Sequence, residues 1–312
     1  MISPQIWIVA PVFNDWDSAE KLVSNLNSLN LQQKMKIILV DDASTIYGDS
    51  FQSIANNEID VRKTKVEILK LNRNLGNQGA IAIGLSEAAR QANPVDVFVV
   101  MDSDGEDNPH EIPRMLERLT RSNIVVAKRI RRKKSIVLFT WHGIFKFVLR
   151  SLTGKQLDFG NFSTLGFVAA NRILSESSIK TSFVGTVLNS QLEIVRVPIA
   201  RADRYFGQSK TNKDGLFLWG FLVFSVFSEK IFVKLIRISV VFASLGFLAV
   251  FLIISLRLFT SQTIPGWSGI MITLIGCALF QVLVTLSGFV LIQNQIRLLN
   301  PGQNLEDNGQ IS

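Results

Sequence analysis

From Ile238 to Leu256 the chain runs 19 residues without a charged side chain, and from Trp267 to Ile292 it runs 26 more. At about 1.5 Å of helix rise per residue, either segment can cross a hydrocarbon layer of about 30 Å. Stretches of this length that face only protein normally carry some charge, so the pattern predicts two transmembrane helices. The ten residues Arg257 to Gly266 between them predict a tight hairpin with both outer ends on one side. Lys230, Lys234 and Arg237 precede the first segment and Arg297 follows the second, whereas the hairpin loop carries only Arg257. The positive-inside rule therefore puts the large N-terminal part in the cytosol, a multi-pass membrane protein with two spans. Trp267 fits an interface anchor, and MISPQIWIVAPVF at the start lacks the basic-then-apolar order of a cleaved signal. Cys277 is the only cysteine and lies inside the second segment, so no intrachain disulfide is available. The expected organisation is a cytosolic domain over 1–212, juxtamembrane helices over 213–236, two spans within 237–296 and a tail over 297–312.

Ahead of the membrane segments, short β-rich runs alternate with amphipathic stretches. Ile6–Ala10, Ile37–Val40, Val66–Leu71, Val97–Met101 and Ile124–Ala127 read as strands; Ser18–Leu29, Gly79–Gln91 and Glu111–Arg121 show helical spacing. Such alternation predicts an α/β fold, a mostly parallel sheet covered by helices on both faces, with ligands outside the carboxyl ends of the strands. Polar signals fall at those ends: Pro11–Asp15, Asp41 and Asp42, Asn72–Gly79 and Asp102–Asp107. Two further stretches, Ile136–Leu152 and Gly215–Phe227, are too short to span a bilayer. In the first, His142, Lys146 and Arg150 recur every four residues and give one polar stripe, the pattern of a helix lying in the membrane interface. Packing onto the sheet is the alternative for both.

The chain carries a formal net charge of +8, yet Asp102, Asp104, Glu106 and Asp107 fall within six residues. An EF-hand loop counted from Asp102 would need Gly at 107 and a carboxylate at 113, where the chain has Asp107 and Pro113. Glycosidase carboxylates must flank a sugar from separate elements, which neighbours on one turn do poorly. A site for a hard divalent cation, Mg²⁺ or Mn²⁺, that leaves positions for a ligand's phosphates suits the cluster better. Glu106 is a candidate third oxygen, whereas Asp107 and Asn108 fit the start of a helix at Pro109 or Glu111.

Taken in order, PVFND (11–15), VDDAS (40–44), NRNLGNQGA (72–80), MDSDGEDNP (101–109) and RADRYFGQSK (201–210) resemble the family 2 glycosyltransferases. More narrowly they are similar to the branch that moves a sugar from a nucleotide onto a polyprenyl or dolichyl phosphate, which reads PVYNE, VDDGS, RNxGxxxA, DADLQxPP and RxxRxxGxSK. The likeness runs from Ile6 to about Asn212, and Gly266–Ser268 matches a Gly-Trp-Ser common at the second span of that branch. The resemblance implies a GT-A, Rossmann-like domain and an inverting transfer from a UDP- or GDP-sugar to undecaprenyl or dolichyl phosphate. It implies that Pro11, Asn14, Asp41 and Asp42 line the nucleoside pocket, with Arg73, Gly76 and Ser209 on the donor side. Asp102, Asp104 and Glu106 would hold Mg²⁺ or Mn²⁺ on the donor diphosphate, and Arg204 and Lys210 would hold phosphate. DFGNF (158–162) resembles Asp-x-Gly-x-Phe-Arg, whose Asp is Asp158 here, a base or acceptor-orienting residue; Ser163 replaces the Arg.

The run AKRIRRKK (127–134) holds six basic residues in seven positions. Next to an interfacial helix, Lys128, Arg129 and Arg131 suit membrane lipid headgroups or the acceptor phosphate better than nucleic acid. A processive polysaccharide synthase would carry Gln-x-x-Arg-Trp, and no tryptophan here follows an arginine. Two readings stay open beside the polyprenyl one: a transferase to a hydroxyl-bearing lipid, with Asp158 as a true base, and a non-catalytic nucleotide-sugar-binding membrane protein. Self-association into a homo-oligomer is left open.

Overall fold

The computed structural model describes residues 4–29, 31–56, 64–130, 143, 147–207, 213–259 and 267–299. They form two compact units that divide after Phe227. In the first, β1 (Ile6–Val12), α1 (Trp16–Asn27), β2 (Met35–Asp41), α2 (Asp49–Ala55), β3 (Thr64–Lys70), α3 (Gly76–Gln91), β4 (Val97–Val100), α4 (Ile112–Leu116) and β5 (Ile124–Ile130) alternate as the sequence predicts, with α2 a helix it did not single out. The helix expected over Glu111–Arg121 is shorter, a 3₁₀ turn at Pro109–Glu111 followed by α4. Beyond the sequence expectation lie two more strands, β6 (Phe159–Gly166) and β7 (Ile194–Ala200). Helices α5 (Phe167–Leu174), α6 (Phe183–Asn189) and α7 (Lys213–Ser225) complete this unit.

The seven strands form one sheet in the order β3-β2-β1-β4-β6-β5-β7. Every pairing is parallel except the two made by β6. Because β6 is antiparallel to both neighbours, β4 and β5 run in the same direction. The carboxyl ends of the other six strands and the amino end of β6 therefore share one rim, and segments distant in sequence meet there.

Strands β1 and β2 are buried along their whole length, as expected for central parallel strands covered on both faces. Ile6, Ile8 and Ala10 of β1 join Trp16, Leu22 and Leu26 of α1 and Met115 of α4 in the core on one face. The inward residues of α1 recur at three- and four-residue intervals, the period of a helix with one apolar stripe. On the other face α3 lies close to the sheet at Gly84, where an added Cβ would sit 2.5 Å from Val40 and 2.7 Å from Val9. Asp96, just before β4, ties the strand starts together, accepting from the Gln5 backbone at 2.9 Å and from the Trp7 indole at 3.1 Å.

Of the predicted interfacial stretch 136–152, residues 136–142 and 144–146 lie outside the described residues; 147–152 are helical, with Phe147 exposed and Leu149 buried. In α7, Val223 is buried and Phe221 exposed, and Val226, one residue past the helix end, rests on Gly185 of α6.

The second unit contains α8 (Ser228–Phe259) and α9 (Trp267–Leu299). They pack where α8 has Gly246, whose missing side chain admits Ile275 and Leu279 of α9; an added Cβ would meet Ile275 at 3.3 Å. Ser228–Leu256 is long and apolar enough to cross a membrane, while the apolar stretch found in α9, Gly269–Thr285, is shorter. Residues 260–266 of the predicted hairpin loop and the whole of 300–312 lie outside the described residues.

Candidate active site

Met101 ends the apolar run of β4, and the chain then folds into the acidic turn at the shared rim. Ser103 fixes the turn to the first strand by donating to the Pro11 carbonyl at 2.7 Å. Asp107 points back into the turn and accepts the Asp102 backbone N–H at 3.0 Å, while Asp104 accepts that of Glu106 at 3.0 Å. Gly105 takes φ +90°, a left-handed conformation that favours glycine, and its bare Cα lies against the Tyr205 ring. Asn108 caps the 3₁₀ turn by accepting from His110, as expected of a helix start; Asp107 serves the turn itself.

The segment following β7 clasps this turn. Tyr205 N–H donates to the Asp104 carbonyl at 2.9 Å and Ala202 N–H to the Glu106 carbonyl at 3.0 Å. Arg204 pairs with the Asp104 carboxylate at 2.9 Å, Arg201 forms an ion pair with Glu106, and the Tyr205 hydroxyl accepts from Asn25 at 2.9 Å. The Nε donors of Arg201 and Arg204 are buried without a hydrogen-bond partner. A buried guanidinium N–H lacking an acceptor is costly, and an anionic ligand would satisfy it. Burial pushes the Arg201 pKa down although Asp104 and Asp102 push the other way. Burial, reinforced by the Asp102 charge, raises Asp104 to about 6, and burial likewise raises Asp107 to about 7.

At the ends of β1 and β2 the sequence-predicted nucleoside residues come together as a structured loop. Both oxygens of Asp41 are engaged, by Ser44 N–H at 2.9 Å and by the Tyr47 hydroxyl at 2.7 Å. Burial, with the bond to Asp41, pushes the Tyr47 phenol up to about 12. Asn14, at φ +50°, accepts from the backbone of Thr45 at 2.8 Å and Ile46 at 3.0 Å. Asp42 accepts Leu75 N–H at 2.6 Å, so it fastens the start of α3 to the second strand. Burial raises its pKa, and the amides of Leu75 and Gly76 partly offset that rise. Gly76 has φ +75° with open space around it, and Arg73 is exposed on the same loop.

Asp102 accepts two amide donors on Oδ1, from Asn161 at 3.0 Å and Asn77 at 3.2 Å. Neither amide is part of the sequence-predicted site, nor are Arg201, Tyr205, Tyr47 and Gln78. Asp158 stands in a second cluster: Arg196 binds its Oδ1 at 3.0 Å and the Lys128 ammonium lies 3.9 Å from its Oδ2. Arg129, the next residue of β5, lays its guanidinium over Gly160, where a Cβ would lie 2.3 Å from Nη2. Arg131, Ser209 and Lys210 lie outside the described residues.

Among the described residues no group of three or more His, Cys, Asp or Glu side chains converges as a metal-binding cluster. Glu106, the expected third oxygen, is taken up by Arg201. Asp104 is likewise paired with Arg204, yet it and Asp102 supply the one or two carboxylates that a cation of the Mg²⁺ type commonly takes, its other positions being filled by water and phosphate oxygens. Burial first, and after it repulsion from Asp102, raises the Asp104 pKa, and a cation between the two carboxylates would relieve the repulsive part.

A mostly parallel seven-stranded sheet covered by helices is the fold of the GT-A glycosyltransferases. The chain aligns with glucosyl-3-phosphoglycerate synthase of Mycobacterium tuberculosis, solved with uridine diphosphate, at TM-score 0.50 and 14% identity, covering 73% of this chain and 80% of that one. Residues 7–183 match the model of glycosyl transferase family 2, and the chain belongs to that family. Among its relatives is an undecaprenyl-phosphate 4-deoxy-4-formamido-L-arabinose transferase of Yersinia pestis (strain Pestoides F), 25% identical over 273 residues, which are 85% of this chain and 79% of that protein. The protein of the same name from Klebsiella pneumoniae (strain 342) is 25% identical over 214 residues, 66% of this chain and 62% of its own length.

Proposed function

We propose that this glycosyltransferase moves a sugar from a nucleoside diphosphate onto a polyprenyl phosphate at the membrane surface. The observation that carries the reading is the clasp of the acidic turn by the segment after β7, with Arg204 2.9 Å from Asp104. It sets two cations, each with an unspent buried donor, beside the carboxylate pair fit for a divalent ion. That is the equipment needed to hold a departing diphosphate. The names of the Yersinia and Klebsiella relatives support the acceptor.

In this reading Asp102 and Asp104 hold Mg²⁺ or Mn²⁺, which when bound neutralises diphosphate charge as the sugar leaves. Arg204 shifts part of its hydrogen bonding from Asp104 to a phosphate oxygen, and Arg201 backs it. Ser209 and Lys210, four and five residues past Tyr205, add donors to the same anion. Asp42 and the Asp41 loop receive the nucleoside. An acceptor phosphate is already anionic, so the reaction needs alignment more than a base. Asp158 accordingly orients, holding Lys128 and Arg196 toward the acceptor, with Arg129 over Gly160 beside them. Helices α8 and α9 act as two spans, with the first unit on the cytosolic side beside the lipid.

The test uses the full chain in lipid nanodiscs with undecaprenyl phosphate, Mg²⁺ or Mn²⁺, and a panel of labelled UDP- and GDP-sugars. Label should enter the organic phase from one donor, and Asp104→Asn should reduce that transfer by roughly 100-fold or more. No transfer from any donor by folded protein overturns the reading. Transfer to a hydroxyl lipid alone, abolished by Asp158→Asn, would replace the acceptor assigned here.

A further inference from the structure

The Oδ1 atom of Asp102 is the end of a hydrogen-bonded chain that starts at a backbone group on a different element. Phe183 N–H, at the first residue of α6, donates to Gln78 Oε1 at 2.7 Å. A backbone N–H can only donate, so the Gln78 oxygen must face it and the Gln78 amide nitrogen must face away. That nitrogen donates to Asn161 Oδ1 at 3.2 Å and to Asn77 Oδ1 at 3.4 Å. With their oxygens so occupied, both asparagines must turn their amide nitrogens onward. Asn161 Nδ2 reaches Asp102 Oδ1 at 3.0 Å and Asn77 Nδ2 reaches it at 3.2 Å. One backbone N–H thus dictates the orientation of three side-chain amides, and every link runs toward the carboxylate.

The neighbours leave little slack. Gln78 and Asn161 are buried. The Ser163 hydroxyl holds the Asn161 carbonyl at 2.9 Å, and Ser182 caps α6 through Gly185 N–H at 3.1 Å, which keeps the first donor in place. Asn161 can reach Asp102 because β6 is antiparallel: Ser163 pairs with Val100, so two residues earlier the strand passes the start of the acidic turn.

We infer that Gln78, Asn161 and Asn77 are positioning residues, an amide relay that fixes the Asp102 carboxylate through Oδ1 and presents Oδ2 to the divalent cation. This rests on the reading of Asp102 as a ligand of that cation. Groups that orient a metal ligand from behind typically change metal affinity by 10–100-fold when removed.

The test is Mn²⁺ affinity, read from the loss of the free-ion paramagnetic resonance signal, with full-length protein in nanodiscs, alone and with UDP or GDP. Gln78→Glu preserves size and the acceptor for Phe183 but cannot donate when ionised, so it breaks the direction of the relay while filling the same space. It and Asn161→Ala should each weaken Mn²⁺ binding by about 10–100-fold. Asn77→Ala, at an exposed position that carries little folding risk, should weaken it by a smaller factor, about 3–10-fold, through loss of one donor. In the transfer assay, saturating Mn²⁺ should restore most of kcat in Asn77→Ala while the KM for metal stays raised, which a general loss of structure would not produce. Affinities within twofold of wild type in Gln78→Glu and Asn77→Ala overturn the relay and leave the metal reading intact. Absence of Mn²⁺ binding by the wild type, with and without nucleotide, overturns the metal reading and the relay together.

Discussion

Leu75 and Gly76 direct their backbone N–H groups at Asp42, yet burial still holds its pKa above the ordinary 3.8. An acid whose folded pKa exceeds its unfolded one binds protons more tightly when folded. Ionised Asp42 therefore costs stability in full above its folded pKa, and the cost fades as pH falls and disappears below 3.8. Asp42→Asn should raise the melting temperature of ligand-free protein at pH 7.5, with the gain shrinking toward acid; a gain independent of pH would refute the assignment to charge. If the residue also receives the nucleoside, the same variant should bind nucleotide roughly tenfold or more weakly by calorimetry. Gly105 illustrates the same tension in backbone geometry. A Cβ there needs φ +90° and would lie 2.6 Å from the Tyr205 ring, whereas Gly207, at φ +68°, has open space around it. Gly105→Ala should cost about 1–3 kcal/mol in denaturant unfolding and sharply lower transfer, and Gly207→Ala should cost only the backbone part, about 1 kcal/mol. Most charged residues around the acidic turn were legible as motif letters because their chemistry is distinctive at any position, although Arg201, the first letter of RADRYFGQSK, drew no role from the sequence. Gln78 and Asn161 were not: an amide acquires a role only from what lies opposite it, and here that is settled by the antiparallel pairing of β6 with β4.

At the scale of elements, β1 to β5 could be read from runs of β-branched and apolar residues bounded by polar turns. Strand β6, FGNFSTLG, has two glycines and three hydroxyl or amide side chains, and only its place between β4 and β5 buries it. In β7, Pro198 argues against a central strand, and the sheet places it at an edge, where a missing N–H is tolerated. Helix α3 shows packing overriding propensity. Alanine is better than glycine in a helix interior by about 1 kcal/mol, so Gly84→Ala would stabilise an isolated α3. In the protein the new methyl would meet Val40 and Val9 at 2.5 and 2.7 Å, and β-branched side chains on central strands have little rotamer freedom with which to yield. Overpacking of this kind costs about 1–3 kcal/mol, so Gly84→Ala should be destabilising on balance, with a lower denaturant midpoint at unchanged slope. A higher midpoint would mean that α3 can lift from the sheet without penalty.

For the whole molecule, the decisive matter is what surrounds the second unit. Phe242, Phe251, Leu274 and Phe280 on α8 and α9 are each at least 60% exposed, an arrangement untenable in water for a helix pair this apolar and natural in lipid. Ser228–Leu256 meets the length and apolarity needed to span, and the sequence expectation of a second span rests on α9, whose apolar stretch Gly269–Thr285 falls short of the usual 20 or so residues. Cys277 lies within that stretch and is exposed, and it is the chain's single thiol, so the native protein carries its own probe. If α9 spans, a charged maleimide should leave Cys277 unmodified in intact and in opened vesicles, because neither treatment brings water to the bilayer interior, and should modify it once detergent strips the lipid. Moving the thiol by Cys277→Ser combined with Ser228→Cys, at the basic end of α8, should give labelling from the cytosolic face alone. Rapid modification of Cys277 in sealed vesicles would place α9 along the surface, leave one span, and carry the tail to the opposite side of the membrane from the first unit.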